Sequence, residues 1–383
     1  MTTSTTFTKR TNSPFRADFV GSFLRPAELA NARNLHRKGL IDDLQLKQVE
    51  DKCISELIAK QKAHGLKAIT DGEFRRSYWH LDFMWGLNGI EHATREHGYY
   101  FVGIQTRNDT AVLKGKISGE NHPFVEHFKF IQQFAKDDPS VIARQTVPAP
   151  SQVVSTLINL RNSEFTASWK EVYQSEEELI ADLGKAYQQV FADLYAAGCR
   201  SIQIDDCSWS SLLDSEKVKT YQSDIKHVAN LLLKANNAAL ENKPEDLVIT
   251  THLCRGNYRS HYFGSGPYDS VAPYVFAKEN VDAFYLEYDD ERSGSFEALK
   301  FIPEGKQVVL GVITSKKPEL EDLDKVVARI QEASQYVPLD NLCVSPQCGF
   351  ASTEEGNDLT EQQQWDKIDL VVKAAQKVWG YPL

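Results

Sequence analysis

Short runs of β-branched and apolar residues alternate along the chain with longer stretches in which apolar residues recur at helical spacing. The short runs predict buried strands, and the longer stretches predict amphipathic helices. The predicted strands are Asp18–Phe23, Ala68–Phe74, Val141–Val147, Ser201–Asp206, Leu247–Leu253, Ala283–Tyr288, Gln307–Ile313 and Leu342–Pro346. The predicted helices include Leu44–His64, Glu176–Ala197, Ser215–Leu240, Leu320–Tyr336 and Leu359–Trp379. Eight strands, each followed by a helix or a longer excursion, predict an α/β fold of the (β/α)8 TIM-barrel type.

The turn after the first predicted strand separates two architectures that share this alternation. A doubly wound sheet also alternates strands with helices, but it usually has fewer strands and a glycine-rich phosphate-binding turn after the first one. Here the sequence at positions 21–26 is GSFLRP, which is not a dinucleotide-binding fingerprint. The pattern therefore favours the barrel.

One segment, residues 75–140, interrupts the alternation. It is rich in aromatic residues, and its runs Tyr99–Gln105 and Ala111–Ser118 predict a hairpin. An insertion after the second strand lies at the barrel mouth, where such loops build substrate sites; a decorative subdomain is the alternative. Because no repeat, low-complexity tract or linker is present, residues 1–383 are predicted to form a single TIM-barrel domain with this insertion at its mouth.

Composition and charge narrow the function classes. The 383 residues carry a net charge of −10 and no block of Lys and Arg, so nucleic acid is not an expected partner. No apolar run approaches the roughly 20 residues that span a bilayer, and the polar N-terminus lacks an apolar signal core, so neither a membrane span nor a signal peptide is predicted. Six scattered cysteines indicate a reducing cytoplasm, where a functional cysteine more often binds metal or catalyses than forms a disulfide.

Candidate metal ligands lie at the carboxyl ends of three predicted strands. His252 and Cys254 alternate at the end of the fifth strand, so both side chains can point into the barrel mouth. Glu287 ends the sixth strand inside an otherwise apolar run, and Cys348 follows the eighth beside a glycine. A structural salt bridge is the alternative for Glu287, because a buried carboxylate needs a cation or hydrogen-bond donors.

These four residues would offer one nitrogen, one oxygen and two sulfur ligands, a set that suits Zn²⁺. Ligands dispersed over three strands differ from the paired CxxC motifs of structural zinc sites and predict a site that does chemistry. Two cysteine ligands favour activation of a substrate thiol over activation of water, because they make the metal electron-rich. The remaining cysteines, Cys53, Cys199, Cys207 and Cys343, are interpreted as packing residues.

Acidic residues at other strand ends are candidates for holding a substrate. Asp71 and Glu73 are predicted to share a face at the end of the second strand, as are Asp205 and Cys207 at the end of the fourth. Carboxylates there would bind an amino group, and the turn at Gly21 offers backbone N–H groups for a carboxylate, so an amino-acid substrate fits. Helix caps or salt bridges at the barrel mouth are the alternative for each acid.

Taken together, these residues resemble the C-terminal catalytic barrel of the cobalamin-independent methionine synthase family. The matching segments lie in the family's order and spread over nearly the whole chain; they are Gly21-Ser22-Phe23, Asp71-Gly72-Glu73-Phe74-Arg75-Arg76, Ile204-Asp205-Asp206, His252-Leu253-Cys254, Glu287 and Pro346-Gln347-Cys348-Gly349. The resemblance implies a TIM barrel whose zinc ligands, which act directly in catalysis, are His252, Cys254, Glu287 and Cys348. It also implies that Ser22, Glu73 and Asp205 bind the backbone of homocysteine.

The implied reaction is attack of the homocysteine thiolate on an activated methyl group, giving methionine. In the family the donor is 5-methyltetrahydrofolate with a polyglutamate tail, and loss of the methyl group from its N5 requires a general acid. Two segments depart from the family pattern. The family's Asp-x-His-Ser-Pro run is TSKKP at positions 314–318, which puts Lys316 at the histidine position, and TVPAPS at positions 146–151 lacks the tryptophan that lies near the pterin.

The length and these departures leave the methyl donor open. A chain of 383 residues is long enough for one barrel, so the resemblance is to the shorter single-barrel paralogues, and the donor is 5-methyltetrahydrofolate or another activated methyl compound. Expected partners are small molecules only, and no pattern predicts an oligomeric state. Other readings are methyl transfer to another small thiol, zinc-dependent hydrolase or lyase chemistry in the same barrel, and a non-catalytic protein that binds zinc or an amino acid.

Overall fold

The structure is a computed structural model that describes residues 7–158, 169–219 and 224–380. Its strands are β1 (Ala68–Ile69), β2 (Asn88–Thr94), β3 (Tyr100–Phe101), β4 (Ile104–Gln105), β5 (Asp109–Ser118), β6 (Ile142–Ala143), β7 (Gln145–Pro148), β8 (Ser201–Asp206), β9 (Val248–Leu253), β10 (Ala283–Glu287), β11 (Gln307–Ile313) and β12 (Leu342–Pro346). Its α-helices are α1 (Ala27–Arg37), α2 (Asp43–Ala63), α3 (Leu81–Gly86), α4 (Pro123–Gln132), α5 (Pro150–Leu157), α6 (Trp169–Val172), α7 (Glu176–Ala196), α8 (Ser210–Leu213), α9 (Ser215–Val218), α10 (Ile225–Leu240), α11 (Val275–Lys278), α12 (Leu323–Ala333) and α13 (Glu361–Trp379).

Eight extended, parallel segments form the predicted α/β barrel. Six of them make a continuous sheet in the order β12-β11-β10-β9-β8-β7. β1 pairs with β6, which continues through Arg144 into β7. The N-terminal segment closes the ring: Ala17 bridges Val344 of β12, and the carbonyl oxygen of Gly21 accepts a hydrogen bond of 2.8 Å from the Thr70 hydroxyl just after β1. The carboxyl ends of all these segments therefore meet at one mouth.

The strands that carry the predicted metal ligands form as the sequence predicts. β8, β11 and β12 match their predicted bounds residue for residue, and β9 and β10 are each one residue shorter than predicted. β8 to β12 are buried along nearly their whole length. Continuous apolar runs of this kind are typical of parallel strands that are covered on both faces.

The first predicted strand, Asp18–Phe23, is wrong, because regular pairing in this segment is limited to the bridge at Ala17. The Asp18 carboxylate accepts hydrogen bonds from the backbone N–H groups of Phe15 and Phe19, at 2.8 and 2.7 Å. A side chain that captures local backbone donors in this way competes with a strand ladder. The segment is thus held by side chains as much as by its backbone.

The second predicted strand, Ala68–Phe74, ends after Ile69. Beyond it Asp71 accepts a hydrogen bond of 2.8 Å from the backbone N–H of Glu73, and the chain turns through Gly72 and Glu73 at φ of 65° and 63°. The prediction that Asp71 and Glu73 share a strand face is therefore wrong. A left-handed φ at a glutamate is costly, so the surrounding contacts must hold Glu73 in place.

The segment at residues 75–140 contains α3, β2 to β5 and α4, but its predicted hairpin is wrong in its pairing. β5 pairs antiparallel with β2, and the short hairpin is formed by β3 and β4. This short hairpin contacts the loop after β9, where the Val102 N–H donates to the Tyr262 carbonyl oxygen at 2.9 Å. The division of the chain into one domain with an insertion stays a prediction.

The predicted helices form with small shifts at their ends, except Ser215–Leu240. That prediction corresponds to α9 and α10, with residues 220–223 between them outside the described part of the chain. α2 and α13 each begin with a reciprocal capping box, at Asp42 with Gln45 and at Thr360 with Gln363. Over the described ranges, no helix has both the length and the apolar character needed to cross a membrane.

Candidate metal centre and substrate pocket

A buried cluster of four side chains lies at the mouth of the barrel. One ligand atom from each of His252, Cys254, Glu287 and Cys348 lies within 4.8 Å of the other three. The exposed fraction of these residues is between 0% and 7%. The structure therefore brings the four predicted metal ligands together at one point.

The parallel sheet explains this convergence. His252 is the fifth residue of β9, and it lies beside Tyr285 of β10 in register, two residues before Glu287. Cys254 follows β9 directly, and Cys348 comes two residues after β12. Because alternate residues of a strand point to the same side, His252, Cys254 and Glu287 all face the barrel interior.

The free donor atoms of this cluster fit a metal ion. Neither ring nitrogen of His252 nor Oε1 of Glu287 has a hydrogen-bond partner among the described residues, although all three atoms are buried. The sulfur atoms of Cys254 and Cys348 are 3.7 Å apart. Buried polar atoms left without partners are costly, and a cation that they bind removes this cost. One nitrogen, one oxygen and two sulfur donors suit Zn²⁺.

The protonation of the two cluster thiols depends on whether a cation is bound. Hydrogen bonding to Cys254, together with burial, raises the pKa of the Cys348 thiol well above its ordinary value. A hydrogen bond with Cys207 does the same for the pKa of Cys254. Without a cation both sulfurs stay protonated at neutral pH, whereas a bound metal ion would hold them as thiolates.

Lys316 adds a positive charge beside this cluster. Its side chain is buried, with 7% exposure, and its Nζ has no hydrogen-bond partner in the described structure. Burial alone would lower the pKa of this lysine. The acidic groups of Glu287 and Asp289 and the two cluster thiols raise the pKa by more than burial lowers it, so the net shift is upward. Lys316 is therefore a buried ammonium group that interacts electrostatically with three of the candidate metal ligands.

A second polar cluster surrounds Glu73 at the end of β1. Oε1 of Glu73 lies 3.2 Å from the Arg76 guanidinium and accepts a hydrogen bond of 3.0 Å from the Thr146 hydroxyl. Its Oε2 is buried and has no partner within the described ranges. Burial raises the pKa of Glu73, and burial together with the charge of Glu73 raises the pKa of Asp205 well above its ordinary value. Arg76 acts on both carboxyl groups, with Arg25 also acting on Glu73 and Arg144 on Asp205. The unpartnered Oε2 of Glu73 is the acceptor to which a further cation, such as an ammonium group, could donate.

The acidic cluster and the candidate metal ligands are neighbours. Asp205 of β8 lies directly beside His252 of β9 in the parallel register. Its Oδ1 accepts a hydrogen bond of 2.8 Å from Gln203 on the same strand. The acidic cluster therefore adjoins the four clustered donors through two adjacent strands.

Ser22 completes the group of predicted substrate-binding residues. Its Oγ accepts a hydrogen bond of 3.3 Å from the Ala351 N–H, and its carbonyl oxygen accepts one of 3.0 Å from the Phe350 N–H. A Cβ atom on Gly349 would lie 1.9 Å from Ser22 Oγ, so the residue after Cys348 must be glycine for the two segments to meet. Ser22 is therefore hydrogen-bonded to the loop that carries Cys348, one of the candidate metal ligands.

Arg76 is the residue of this region whose role the sequence did not indicate. It contacts Glu73, three residues before it, and donates to the Thr146 hydroxyl at 2.9 Å, 70 residues further along the chain. The second contact joins segments that no local pattern connects. The interpretation of Cys207, which is less buried than Cys254 and Cys348, as a packing residue stays a prediction.

The chain is similar in sequence or in structure to several known proteins. It is 40% identical over 375 residues to the uncharacterized protein YxjH of Bacillus subtilis (strain 168), covering 97% of this chain and 96% of YxjH. A solved structure from Listeria monocytogenes, described as a candidate vitamin-B12 independent methionine synthase, has a TM-score of 0.77 at 36% identity and covers 97% and 100% of the two chains. A B12-independent methionine synthase from Shewanella sp. W3-18-1, solved in complex with selenomethionine, has a TM-score of 0.71 at 20% identity and covers 95% and 97%.

The family comparison agrees with these likenesses. The model of the family described as "Cobalamin-independent synthase, Catalytic domain" matches residues 15–377, which include all the barrel segments. The matched range contains the four clustered donors as well as Ser22, Glu73 and Asp205. The chain therefore belongs to the cobalamin-independent methionine synthase family, by its catalytic domain.

Proposed function

We propose that this protein is a zinc-dependent methyltransferase that moves a methyl group from a donor to the thiol of homocysteine, giving methionine. The donor is 5-methyltetrahydrofolate or another activated methyl compound, and another small thiol is the alternative acceptor. The observation that carries the proposal is the position of a buried four-donor cluster directly beside a buried pair of acids, with Asp205 and His252 side by side. A small amino acid with a thiol presents the groups that complement both.

The acidic pair supports recognition of the amino end of such a substrate. The free oxygen of Glu73 and the carboxyl group of Asp205 lie in surroundings where burial penalises two negative charges. An α-ammonium group bound between them would supply the missing positive charge and hydrogen-bond donors. The same contacts would hold the substrate in one orientation, so that its thiol points toward His252, Cys254, Glu287 and Cys348.

The metal-binding cluster supports the chemistry at the sulfur atom. When bound by the four donors, zinc supplies a Lewis acid that favours the thiolate form of a substrate thiol at neutral pH. In the transfer step the sulfur–carbon bond forms as the bond from the methyl group to the donor breaks, and the electron pair leaves with the donor. A nitrogen leaving group must also take up a proton. Lys316 is a buried ammonium group that interacts with Glu287 and could balance negative charge here.

The relatives support the same substrate class. The Shewanella protein binds selenomethionine, whose carboxylate, ammonium and methylated side chain are the groups of the proposed product. At 20% identity that likeness shows a shared fold, and in this chain Glu73, Asp205 and the four clustered donors are the groups that complement such a substrate.

The test is a methionine-formation assay on the zinc-loaded protein with homocysteine and a panel of donors. The panel contains mono- and polyglutamylated 5-methyltetrahydrofolate, S-methylmethionine and methylcobalamin. We expect methionine with at least one donor, and loss of both zinc and activity in Cys348→Ser. Cys343→Ser is the matched control, because Cys343 lies inside β12 and its thiol contacts the Pro14 carbonyl oxygen at 3.8 Å.

Three results would contradict the proposal. If Cys348→Ser loses zinc but keeps thiol-dependent methyl transfer, the metal has no part in the reaction. If calorimetry shows homocysteine binding while no donor gives turnover, a non-catalytic binding protein is the better reading. If hydrolysis or elimination occurs in place of methyl transfer, the barrel carries out a different zinc chemistry.

A further inference from the structure

The two carboxylate oxygens of Glu287, one of the candidate metal ligands, have different surroundings. Oε2 accepts a hydrogen bond of 3.0 Å from the backbone N–H of Arg255, whereas Oε1 is buried and has no partner in the described part of the chain. A carboxylate can give a metal ion one oxygen or both. Metal binding through Oε2 would compete with the hydrogen bond from Arg255, so Oε1 is the oxygen that is free for a metal ion.

The Arg255 side chain holds the backbone of the same glutamate. Its Nη1 donates to the Glu287 carbonyl oxygen at 2.6 Å, and its Nε and Nη2 donate to the Gly266 carbonyl oxygen at 3.2 and 3.1 Å. Arg255 is 1% exposed and comes directly after Cys254. Because the planar guanidinium presents its donors in a fixed arrangement, contacts to two carbonyl oxygens restrict the movement of Glu287. One arginine thus connects the end of β9 to the end of β10.

Tyr268 makes a second connection between these two strand ends. Its hydroxyl donates to the Leu253 carbonyl oxygen at 2.9 Å and accepts a hydrogen bond of 3.0 Å from the Glu287 N–H. Leu253 is the last residue of β9 and directly precedes Cys254, so the hydroxyl joins two ligand-bearing segments. The centre of the Tyr268 ring lies 3.9 Å from the guanidinium carbon of Arg255. The tyrosine and the arginine therefore pack against one another while both bind Glu287.

We infer that Arg255 and Tyr268 are positioning residues of the metal centre, which hold Glu287 so that it gives one oxygen, Oε1, to the metal ion. With this oxygen, the centre offers four donors in all, the number that zinc takes in tetrahedral sites. A glutamate that turned freely could add its second oxygen, and a larger share of oxygen ligands suits harder ions such as Mn²⁺. The inference rests on the metal centre of the proposed function, but it does not depend on methyl transfer or on the identity of the donor.

The experiment measures metal binding by the full-length protein without any substrate. Zinc affinity is obtained by competition with a coloured chelator. The cobalt(II) form is examined by visible absorption, because four-coordinate cobalt(II) absorbs more strongly than five- or six-coordinate cobalt(II). We expect Tyr268→Phe and Arg255→Lys to bind zinc roughly 10–100-fold more weakly than the parent, the usual effect of losing a contact that orients a metal ligand. We also expect weaker cobalt absorption in both variants, since a released Glu287 can bind through both oxygens.

Two buried residues outside the metal centre supply matched controls. The Tyr173 hydroxyl accepts a hydrogen bond of 2.7 Å from a backbone N–H of β5, and Arg16 donates to two backbone carbonyl oxygens at the start of β12, at 2.8 and 2.9 Å. Both residues are 1% exposed, as are Tyr268 and Arg255. Tyr173→Phe and Arg16→Lys therefore remove contacts of the same kinds, and we expect both to keep the zinc affinity and the cobalt spectrum of the parent.

Several results would overturn the inference. One is parent-like zinc affinity in both Tyr268→Phe and Arg255→Lys. Another is a weaker affinity with an unchanged cobalt spectrum, or an equal loss of affinity in the controls, because either would show a general loss of stability. If the parent itself binds no zinc, the metal centre of the proposed function is contradicted, and the positioning role fails with it. A parent that binds zinc, with variants that bind it equally well, refutes the positioning role alone.

Discussion

The buried ion pair between Arg144 and Asp18 is one of the contacts that hold the N-terminal segment against the barrel. The Nη1 of Arg144 lies 2.7 Å from Asp18 Oδ1, and the two side chains are 0% and 1% exposed. Arg144 also donates to the Phe19 carbonyl oxygen at 2.5 Å and to the Tyr285 hydroxyl at 3.0 Å. Since the ladder at this segment is a single bridge at Ala17, the ion pair joins the segment that bears Ser22 to β6 and β7.

We predict that Arg144→Met destabilises the protein by about 3–5 kcal/mol, because it leaves the Asp18 carboxylate buried without its partner. The methionine retains most of the side-chain volume, so that the loss reports on charge and hydrogen bonds more than on a cavity. Unfolding entropy is about 2.1 cal/mol/K per residue. For 383 residues one degree in Tm then corresponds to roughly 0.8 kcal/mol, and we expect Tm to fall by roughly 4–6 °C.

The assay is thermal unfolding followed by circular dichroism, with urea unfolding as a second measure. Lys300→Met is the control, because both partners of its ion pair with Glu297, at 2.8 Å, are exposed and solvent screens their attraction, so we expect Tm to stay at the parent value. The double variant Arg144→Met with Asp18→Asn removes both charges and should recover part of the loss. A Tm of Arg144→Met within a degree of the parent, or a double variant no more stable than the single one, would refute the reasoning.

Three further perturbations probe other parts of the molecule. Burial lowers the pKa of His122 to about 4, below the unfolded value near 6.5, so the unfolded chain binds the proton first and the free energy of unfolding falls by roughly 3 kcal/mol from pH 6.5 to 4. Urea unfolding at these two pH values should show a smaller loss in His122→Asn, whose amide oxygen can still cap the helix. An equal loss in the variant would contradict this role of His122. Lys316→Met should retain zinc but bind homocysteine roughly tenfold more weakly by calorimetry, since the variant lacks one positive charge beside the anionic site. Lys316→Arg keeps the charge and should bind homocysteine as the parent does. An unchanged Kd for homocysteine in Lys316→Met would show that the charge has no effect. Gly349→Ala would place a Cβ 1.9 Å from Ser22 Oγ, so we expect a loss of roughly 1–3 kcal/mol in urea unfolding; parent-like stability would mean that the Ser22 segment can move aside freely.

The candidate metal ligands could be found from the sequence because strand ends translate directly into positions. In β9 the alternation of His252 and Cys254 puts both side chains on one face, and in a parallel barrel the ends of β9, β10 and β12 meet at one mouth. An acid at Glu287, inside an apolar run, was informative because burial of a lone carboxylate is costly. Each of these signals comes from neighbouring residues in the sequence. Once the fold is known to be a parallel barrel, the strand ends that carry these residues are expected to lie close together.

The acidic cluster around Glu73 depends on contacts that no local sequence pattern predicts. Glu73 was identified, but as part of a strand, whereas it occupies a left-handed turn that the Arg76 and Thr146 contacts hold. The partner at Thr146 is 73 residues further along the chain. A sequence pattern indicates local periodicity, and it contains no information on which distant side chain will supply the hydrogen bonds that stabilise a strained residue.

The sequence by itself determined the alternation of strands and helices, the barrel that follows from eight such units, and the residue types at each strand end. Only the tertiary structure decided the contact of Glu73 with Thr146, the Arg144–Asp18 ion pair, and the closing of the ring by the N-terminal segment. The physical reason is that apolar periodicity is a property of neighbouring residues. Strand register, ion pairs and the burial of charges depend instead on segments that folding brings together from far along the chain. The chemistry of the site depends on both. Local alternation along each strand determines which side chains point into the barrel mouth, and long-range packing determines which other residues surround them.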